Sequence, residues 1–336
     1  MYTWKLRKAL LIAAMIMVVG GCATASGNES PTAALSKPDG LDVTVAAIPA
    51  TDLAGLYLAQ DDGLFAEQGL RVTIEKITNS QAILADQLKG QVDISAGSYV
   101  AYISAQAAGA RFRILAEAST LRPNTRVLVT TAHSPITTIA DLAGAKIGVN
   151  GTNSIGNLLI SMVLQEHGIS PKRVDFVTAK KGFPAMPGQL QDRAWDAAFL
   201  AEPYITFAGE DYGEQELADL DQGATTNFPV DGYVATQTWA QRHPQTAAAF
   251  VRAIEAGQAL ANREAAAVQA AVGKFDQLPP DVTTLMALPG FPTGQVAESQ
   301  IQRVATAMLQ FGMLGKAYTT EVQRGTLVGS MIGPGS

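Results

Sequence analysis

The chain has 336 residues, a formal net charge of −6, 47% hydrophobic residues and only 16% charged residues. This composition excludes an intrinsically disordered chain, and the acidic balance argues against a general nucleic-acid binder. A single cysteine and three histidines exclude an intrachain disulfide and a cysteine-rich metal site, and leave little material for a histidine metal site.

The first 21 residues have the layout of an export signal. They contain no acidic residue, carry Lys5, Arg7 and Lys8, and continue into the apolar run 9–19. This run is shorter than the roughly 20 apolar residues that a membrane-spanning helix needs. We therefore predict that residues 1–21 are a signal peptide.

The one cysteine of the chain follows at the end of this segment. Val19-Gly20-Gly21-Cys22 resembles a bacterial lipobox, in which the thiol is acylated and cleavage leaves the cysteine as the new N-terminus. We expect lipidation at Cys22, and we interpret residues 22–40, rich in Ser, Thr, Pro, Ala and Gly, as a flexible tether. The alternative is an ordinary signal peptide with a chance cysteine. The lipobox predicts an extracytoplasmic protein anchored to the cell membrane through acylated Cys22.

From residue 41 onward, strand patterns alternate with amphipathic helix patterns. The predicted strands are 41–48, 71–77, 92–95, 112–117, 126–131, 145–149, 174–177, 195–200 and 232–236. The helices expected after the last strand are 244–262, 264–272 and 295–311. This alternation indicates an α/β fold.

Four segments of this body carry a family resemblance. They are 57–70 with Gly63-Leu64-Phe65, then Asp93-Ile94-Ser95-Ala96-Gly97, then 141–149 with Asp141-Leu142, and 195–204 with Glu202-Pro203-Tyr204. In this order they resemble segments of the NMT1/THI5-like family, the periplasmic solute-binding proteins of the nitrate/sulfonate/taurine type. The resemblance covers nearly all of residues 41–315.

The resemblance implies a type II periplasmic-binding-protein fold, in which two α/β lobes joined by two hinge crossings enclose a ligand cleft. Lobe 1 would comprise 41–129 plus 232–336, and lobe 2 would comprise 130–231. The family also implies a monomer that delivers a small solute to an ABC permease and its ATPase. No cofactor, metal or nucleic acid is expected.

One group of candidate ligand-binding residues lies at predicted helix starts. Thr152, Asn153 and Ser154 open a helix, where free backbone N–H groups and hydroxyls suit a carboxylate, sulfonate or phosphate. Ser80 and Gln81 occupy the matching position in lobe 1. At both helix starts, plain N-capping explains the same residues without a ligand.

A second candidate segment, Gly97-Ser98-Tyr99, follows a strand and also opens a helix. Its glycine would allow close approach of a ligand, and Tyr99 could stack on that ligand. The alternative is a tight turn followed by a core tyrosine.

Carboxylates favour a different ligand. The family match places Glu202 just past a strand, where its charge would repel an anion and favour an amine or an amino-heterocycle such as a pyrimidine. Asp231 and Tyr204 fit the same ligand. The alternative role of Glu202 is an interaction with a helix start. Asp52 and Tyr57 follow the first strand at the edge of the expected cleft, where Asp52 also suits a helix cap. The sequence leaves open whether the ligand is an anion or a heterocycle.

We therefore expect a non-enzymatic receptor that closes around a small solute. The alternative is an enzyme on the same fold, either a pyrimidine synthase or a dehydratase-like protein. The synthases of the resembled family consume a histidine and carry a cysteine-rich motif, whereas here the only cysteine is Cys22. A dehydratase would have only Asp52, Asp231 and Glu202 as acid–base groups. A third interpretation is a purely structural surface lipoprotein.

Overall fold

The computed structural model describes residues 42–77 and 80–332. Cys22, the predicted signal peptide and the predicted tether lie outside these residues. No helix in the described ranges is both long and apolar enough to cross a membrane.

Ten strands make up the sheets of the described residues. In chain order they are β1 (Asp42–Ala47), β2 (Arg71–Lys76), β3 (Ile94–Ser98), β4 (Phe112–Thr120), β5 (Arg126–Thr130), β6 (Lys146–Val149), β7 (Asp175–Thr178), β8 (Ala197–Ala201), β9 (Gln215–Asp219) and β10 (Pro229–Thr236). They form two five-stranded sheets, the first in the order β2-β1-β3-β10-β4 and the second in the order β7-β6-β8-β5-β9. In each sheet, parallel strands are combined with one strand that runs antiparallel to both of its neighbours, β10 in the first and β5 in the second. The predicted α/β class is therefore confirmed.

Helices cover both sheets. They are α1 (Ala54–Asp61), α2 (Leu64–Glu67), α3 (Ser80–Leu88), α4 (Tyr99–Ala107), α5 (Ile155–Glu166), α6 (Met186–Gln191), α7 (Tyr204–Tyr212), α8 (Gln237–Arg242), α9 (Pro244–Arg263), α10 (Ala265–Asp276), α11 (Pro280–Leu285), α12 (Glu298–Gln310), α13 (Thr319–Gln323) and α14 (Thr326–Ile332). The strands β3, β5 and β8 are buried along their whole length, as expected for strands covered by helices on both faces.

The apolar core on one face of the first sheet is built on a close helix pair. Here α1 packs against α9, with α10 alongside. A Cβ added at Gly257 of α9 would overlap the carbonyl oxygen of Gly55 in α1. Glycine at position 257 allows the helix backbones to approach this closely, because any side chain there would overlap the backbone of α1.

The chain passes between the sheets twice. Residues 121–125 connect β4 to β5, and residues 220–228 connect β9 to β10. The backbone N–H of Leu121 donates to the carbonyl oxygen of Phe228 at 2.9 Å, so the two crossings lie side by side. The lobe boundary predicted between residues 129 and 130 falls inside β5, a strand that pairs only with the second sheet.

Candidate functional site

A small cavity, here called the inter-sheet cavity, lies between residues of the two sheets. Its volume is about 20 Å³, which is room for roughly one water molecule. Its lining residues are Ile48, Ala50, Leu53, Ser80, Ala96, Gly97, Ser98, Arg126, Asn150, Ile155, Phe183 and Asp231. Many of them follow the carboxyl ends of parallel strands, the position at which open α/β sheets bind their ligands.

A buried charge cluster of Asp52, Arg126 and Asp231 lies at this cavity: Arg126 and Asp231 line it, and Asp52 lies behind Arg126. Arg126 is the first residue of β5 and is only 3% exposed. Its Nη2 donates to Asp52 Oδ2 at 2.7 Å and lies 3.8 Å from Asp231 Oδ2. Ser119 Oγ donates to the other carboxylate oxygen of Asp52 at 2.7 Å. A buried guanidinium requires such partners, because an unpaired charge in the interior is strongly destabilising.

The protonation of Asp231 sets the charge of this cluster. The pKa of Asp231 is raised to about 7, mainly by burial and also by the nearby charge of Asp52, while the charge of Arg126 acts in the opposite direction. Near neutral pH the neutral and the ionised form of Asp231 are both populated. The charge cluster is therefore neutral or carries one negative charge, and it has no net positive charge in either form.

Two buried polar atoms of the lining residues have no hydrogen-bond partner among the described residues. They are Arg126 Nε, a donor, and Asn150 Oδ1, an acceptor. A buried polar atom without a partner costs about 1–3 kcal/mol. A solute that accepts a hydrogen bond from Nε and donates one to Oδ1 would remove that cost.

A wider surface cavity of about 580 Å³ lies over the edge strand β4 and the helices α8 and α9. Its lining includes Arg113, Arg252 and Glu255. Within the described ranges, none of its lining residues carries a buried polar atom that lacks a partner. The inter-sheet cavity is therefore the stronger candidate for a specific site.

Four of the predicted ligand-binding residues line the inter-sheet cavity: Ser80, Gly97, Ser98 and Asp231. Ser80 Oγ accepts a hydrogen bond from the backbone N–H of Ser98 at 3.4 Å, and Ser98 Oγ caps α4 by accepting from Val100 N at 3.3 Å. A Cβ at Gly97 would lie 3.2 Å from Ser80 Oγ. The glycine thus allows α3 to approach the end of β3.

Asp52 lies behind the lining and does not cap α1. The sequence predicts that Asp52 caps a helix. In the structure, Asp52 lies in a 3₁₀ turn, Thr51–Leu53, and its carboxylate accepts hydrogen bonds from Ser119 and Arg126. The expectation of a cap was wrong because a buried cation 74 residues away provides the stronger partner. Asp52 is therefore placed to act on the cavity through Arg126.

Glu202 does not line the inter-sheet cavity, and its carboxylate lies at a helix start. The carboxylate accepts hydrogen bonds from Thr206 N at 3.1 Å, Thr206 Oγ1 at 3.0 Å and Ala287 N at 3.1 Å. Burial raises the pKa of Glu202, although these hydrogen bonds oppose the shift. The alternative role at the start of α7 is confirmed, and the contact with Ala287 is an addition.

The loop before α5 makes a link between the two sheets. Gln81 Nε2, in the first turn of α3, donates to the carbonyl oxygen of Thr152 at 2.9 Å. Asn153 adopts a left-handed backbone conformation with φ 47°. Ser154 is the N-cap residue of α5, and its N and Oγ donate to Asn157 Oδ1 at 2.8 and 3.0 Å. Gln81, Thr152, Asn153 and Ser154 are not among the residues that line the cavity.

The three predicted tyrosines lie outside the lining as well. Tyr57 stacks on Phe275 with 3.8 Å between ring centroids, and its hydroxyl donates to Ile48 O at 3.4 Å. Tyr99 is fully buried against Gly232, where a Cβ would clash with its ring. Tyr204 stacks behind Phe183 at 5.9 Å, so Phe183 is the aromatic ring that reaches the cavity.

The sequence reasoning missed Arg126, Asn150 and Phe183. Arg126 had a recognisable signal, because it is a charged residue at the start of the apolar strand Arg-Val-Leu-Val-Thr. Its partner was not visible in the sequence.

Within residues 42–77 and 80–332, no group of three His, Cys, Asp or Glu side chains is arranged to hold a metal ion.

Comparison with known proteins adds a family match to this geometry. A family model described as NMT1/THI5 like matches residues 50–266. Among curated proteins, the 4-amino-5-hydroxymethyl-2-methylpyrimidine phosphate synthase THI11 of Saccharomyces cerevisiae is 24% identical over 212 residues. The match covers 60% of each protein, so the chain spans less than two thirds of the length of this relative.

Two solved structures share the fold over most of the chain. The aliphatic sulphonate binding protein SsuA of Escherichia coli has a TM-score of 0.68 at 20% identity, covering 83% of this chain and 95% of that protein. The nitrate-binding protein NrtA of Synechocystis PCC 6803 has a TM-score of 0.71 at 15% identity, covering 87% and 88%. Both are periplasmic proteins. The predicted type II periplasmic-binding-protein fold is therefore confirmed.

Proposed function

The chain belongs to the NMT1/THI5-like family, and from that premise we propose that it is the solute-binding receptor of an ABC importer. The observation that carries the proposal is the inter-sheet cavity, where Arg126 Nε and Asn150 Oδ1 are buried without partners. The solute would be a small molecule held between the two sheets and delivered to a membrane permease with its ATPase.

Binding requires the two sheets to separate and close again. The cavity of about 20 Å³ is too small for an organic solute, so the lining residues must move apart for entry. The crossings 121–125 and 220–228 are the connections about which the sheets would rotate. A solute that contacts both sides then favours the closed arrangement.

Contacts between the two sides must break during opening. One is the hydrogen bond from Gln81 to Thr152. A second joins Thr51 to Glu202, where the backbone N–H and the hydroxyl of Thr51 both donate to the carbonyl oxygen of Glu202 at 3.3 Å. The buried ion pair of Arg126 with Asp52 also joins the two sides, so opening must either break it or rotate about it.

We propose an extracytoplasmic location with a lipid anchor at Cys22. The proposal is supported by the signal-like residues 1–21, the lipobox pattern and the periplasmic structural neighbours. The receptor would act as a monomer at the membrane surface, with residues 22–40 as its tether.

A second candidate function is an enzyme, because the curated relatives are named as pyrimidine phosphate synthases. Against it, none of the three histidines, His133, His167 and His243, lines the inter-sheet cavity. Asp231, with a pKa raised to about 7, is the one group in the lining suited to acid–base chemistry. We therefore propose a non-enzymatic receptor.

The test uses the purified full-length chain in detergent. Sulfonates, nitrate, pyrimidines, amides and carboxylates are screened by thermal unfolding, and solutes that bind are followed by small-angle X-ray scattering. A true solute should raise the unfolding midpoint by about 5 °C at a hundredfold excess over Kd and should reduce the radius of gyration. Chemical turnover of the solute, or no response to the whole panel, would contradict the proposal.

A further inference from the structure

We infer that the inter-sheet cavity selects a solute that carries an N–H donor and no net negative charge. The solute class would be an amide, a urea or an amidinium-like cation, and it would exclude monoanions such as a sulfonate or nitrate. This assignment rests on the proposed receptor function and specifies the chemistry of the same site.

The first step concerns charge. Arg126 is the one basic residue among the lining residues that the structure describes. Its Nη2 is bound to Asp52 at 2.7 Å, and its Nη1 donates to the carbonyl oxygen of Thr125 at 3.1 Å. Asp231 lies 3.8 Å from the same guanidinium. An incoming anion would meet a cation that is already neutralised, with a second carboxylate beside it, and like charges in an enclosed site repel strongly.

The second step concerns hydrogen bonding. The acceptors available to a solute are Asn150 Oδ1 and the carboxylate of Asp231, whose side chain is 13% exposed. The available donor is Arg126 Nε. An anion offers only acceptors, so it would leave Asn150 Oδ1 unpaired and would face the oxygens of Asp231. A group such as C(=O)–NH₂ offers an N–H to these oxygens and a carbonyl oxygen to Nε.

The third step concerns shape. Leu53, Ile155 and Phe183 form apolar parts of the lining, and Tyr204 supports Phe183 from behind. Apolar walls around a few convergent polar groups are typical of sites for compact, partly apolar molecules. A small amide, urea or amidinium with an apolar or planar body fits these walls.

The test uses the full-length chain and two series of probes. Within each series, a cation, a neutral molecule and an anion have similar shapes. Guanidinium, urea and nitrate are small and planar, and benzamidinium, benzamide and benzoate repeat the series with an aromatic body. Affinities are measured by isothermal titration calorimetry at pH 8, where Asp231 is largely ionised. We expect the cation or the neutral member of a series to bind at least about tenfold tighter than its anion.

The variant Asp231→Asn removes the charge and keeps the shape of the side chain. We expect the affinity ratio of benzamidinium to benzoate to fall by about tenfold or more in this variant. Asp192→Asn is the matched control, because it removes one negative charge from an exposed residue outside the cavity; its ratio should equal that of the wild type. If Asp231→Asn fails to fold, Asn150→Ala replaces it and should weaken benzamide more than benzoate.

The outcomes separate the solute class from the receptor function. Tighter binding of nitrate or benzoate to the wild type would overturn the assigned class and leave the receptor function standing. An unchanged ratio in Asp231→Asn would likewise overturn the role of the carboxylate. Failure of every probe would also overturn the class, and the receptor function would then be decided by the unfolding and scattering panel described above.

Discussion

Arg126 and Asp52 form a buried ion pair with 2.7 Å between Nη2 and Oδ2, although 74 residues separate them in the chain. Arg126 begins β5 of the second sheet, and Asp52 lies in the turn that follows β1 of the first sheet. The ion pair therefore connects the turn after β1, in the first sheet, to the start of β5, in the second sheet. Arg126 also lines the inter-sheet cavity, so loss of the pair would affect both stability and the proposed solute binding.

Breaking this pair should be strongly destabilising. Arg126→Met leaves the carboxylate of Asp52 buried without its cation, which should lower the free energy of unfolding by about 3–5 kcal/mol. Urea unfolding measures the effect. Arg71→Met is the matched control, because Arg71 and Asp42 also form an ion pair at 2.7 Å but their side chains are 70% and 74% exposed; it should change stability little. Equal effects of the two substitutions would contradict the prediction.

Asp231 should make stability depend on pH. Its pKa is raised to about 7 in the folded chain, against about 3.9 in an unfolded chain. Between these values the folded state holds a proton that the unfolded state has released, so stability falls as pH rises from about 4 to 7 and then levels off. The difference in unfolding free energy between wild type and Asp231→Asn should change by about 2.5 kcal/mol from pH 5 to pH 7.5, in favour of the variant at the higher pH. A difference that is constant over this range would show that Asp231 titrates normally.

The hydrogen bond from Gln81 to Thr152 O should help to hold the two sides of the cavity together. Gln81→Ala removes this bond, which is worth about 0.5–1.5 kcal/mol. The balance should shift toward the open form by roughly two- to tenfold, seen as a larger radius of gyration in small-angle X-ray scattering. Gln191→Ala is the control, because Gln191 donates to Tyr212 O at 3.2 Å on one side of the cavity only. Scattering curves that match for wild type and Gln81→Ala would rule out a role in closure.

The close contact of α1 and α9 should not tolerate a methyl group. In Gly257→Ala the new Cβ would overlap the carbonyl oxygen of Gly55, so the helices must move apart at a cost of about 2 kcal/mol or more. Chemical denaturation measures the loss. Gly209→Ala in α7 is the control, because the nearest atom to its added Cβ is Glu214 O at 4.0 Å; there alanine should leave stability unchanged or raise it. Similar results for both glycines would mean that the helices repack freely.

The strands that the sequence reveals best are apolar and bounded by turn residues. The pattern of β5, β8 and β10 was recognised because each contains a run of buried apolar residues. In contrast, β9 was missed, since its residues Gln-Glu-Leu-Ala-Asp are largely polar and it lies at the edge of the second sheet. Its pairing with β5 is long-range, and no local pattern encodes it.

The site could be predicted only in part, for a related reason. Polar residues at helix starts pointed to Ser80 and Ser98, and the close approach that a glycine permits pointed to Gly97; all three line the cavity. The same logic selected Ser154, and the family resemblance selected Glu202; the polar groups of both bind the starts of their own helices. A capping residue and a ligand-binding residue look alike in sequence, because both present the same oxygen atoms at the same position. Only the tertiary fold decides which of them faces a neighbouring sheet.

The place of β10 in the first sheet has a consequence for the order of assembly. The second sheet is made from one continuous stretch of chain, 126–219, and all its strands exist once that stretch has been made. The first sheet waits for β10, which lies between β3 and β4 and is the last strand in the part of the chain that the structure describes. Until residue 236 emerges during synthesis, β3 and β4 each keep an unpaired edge, and such edges are sites of aggregation. A chain that stops before Pro229 should complete the second sheet alone and need a chaperone to stay in solution.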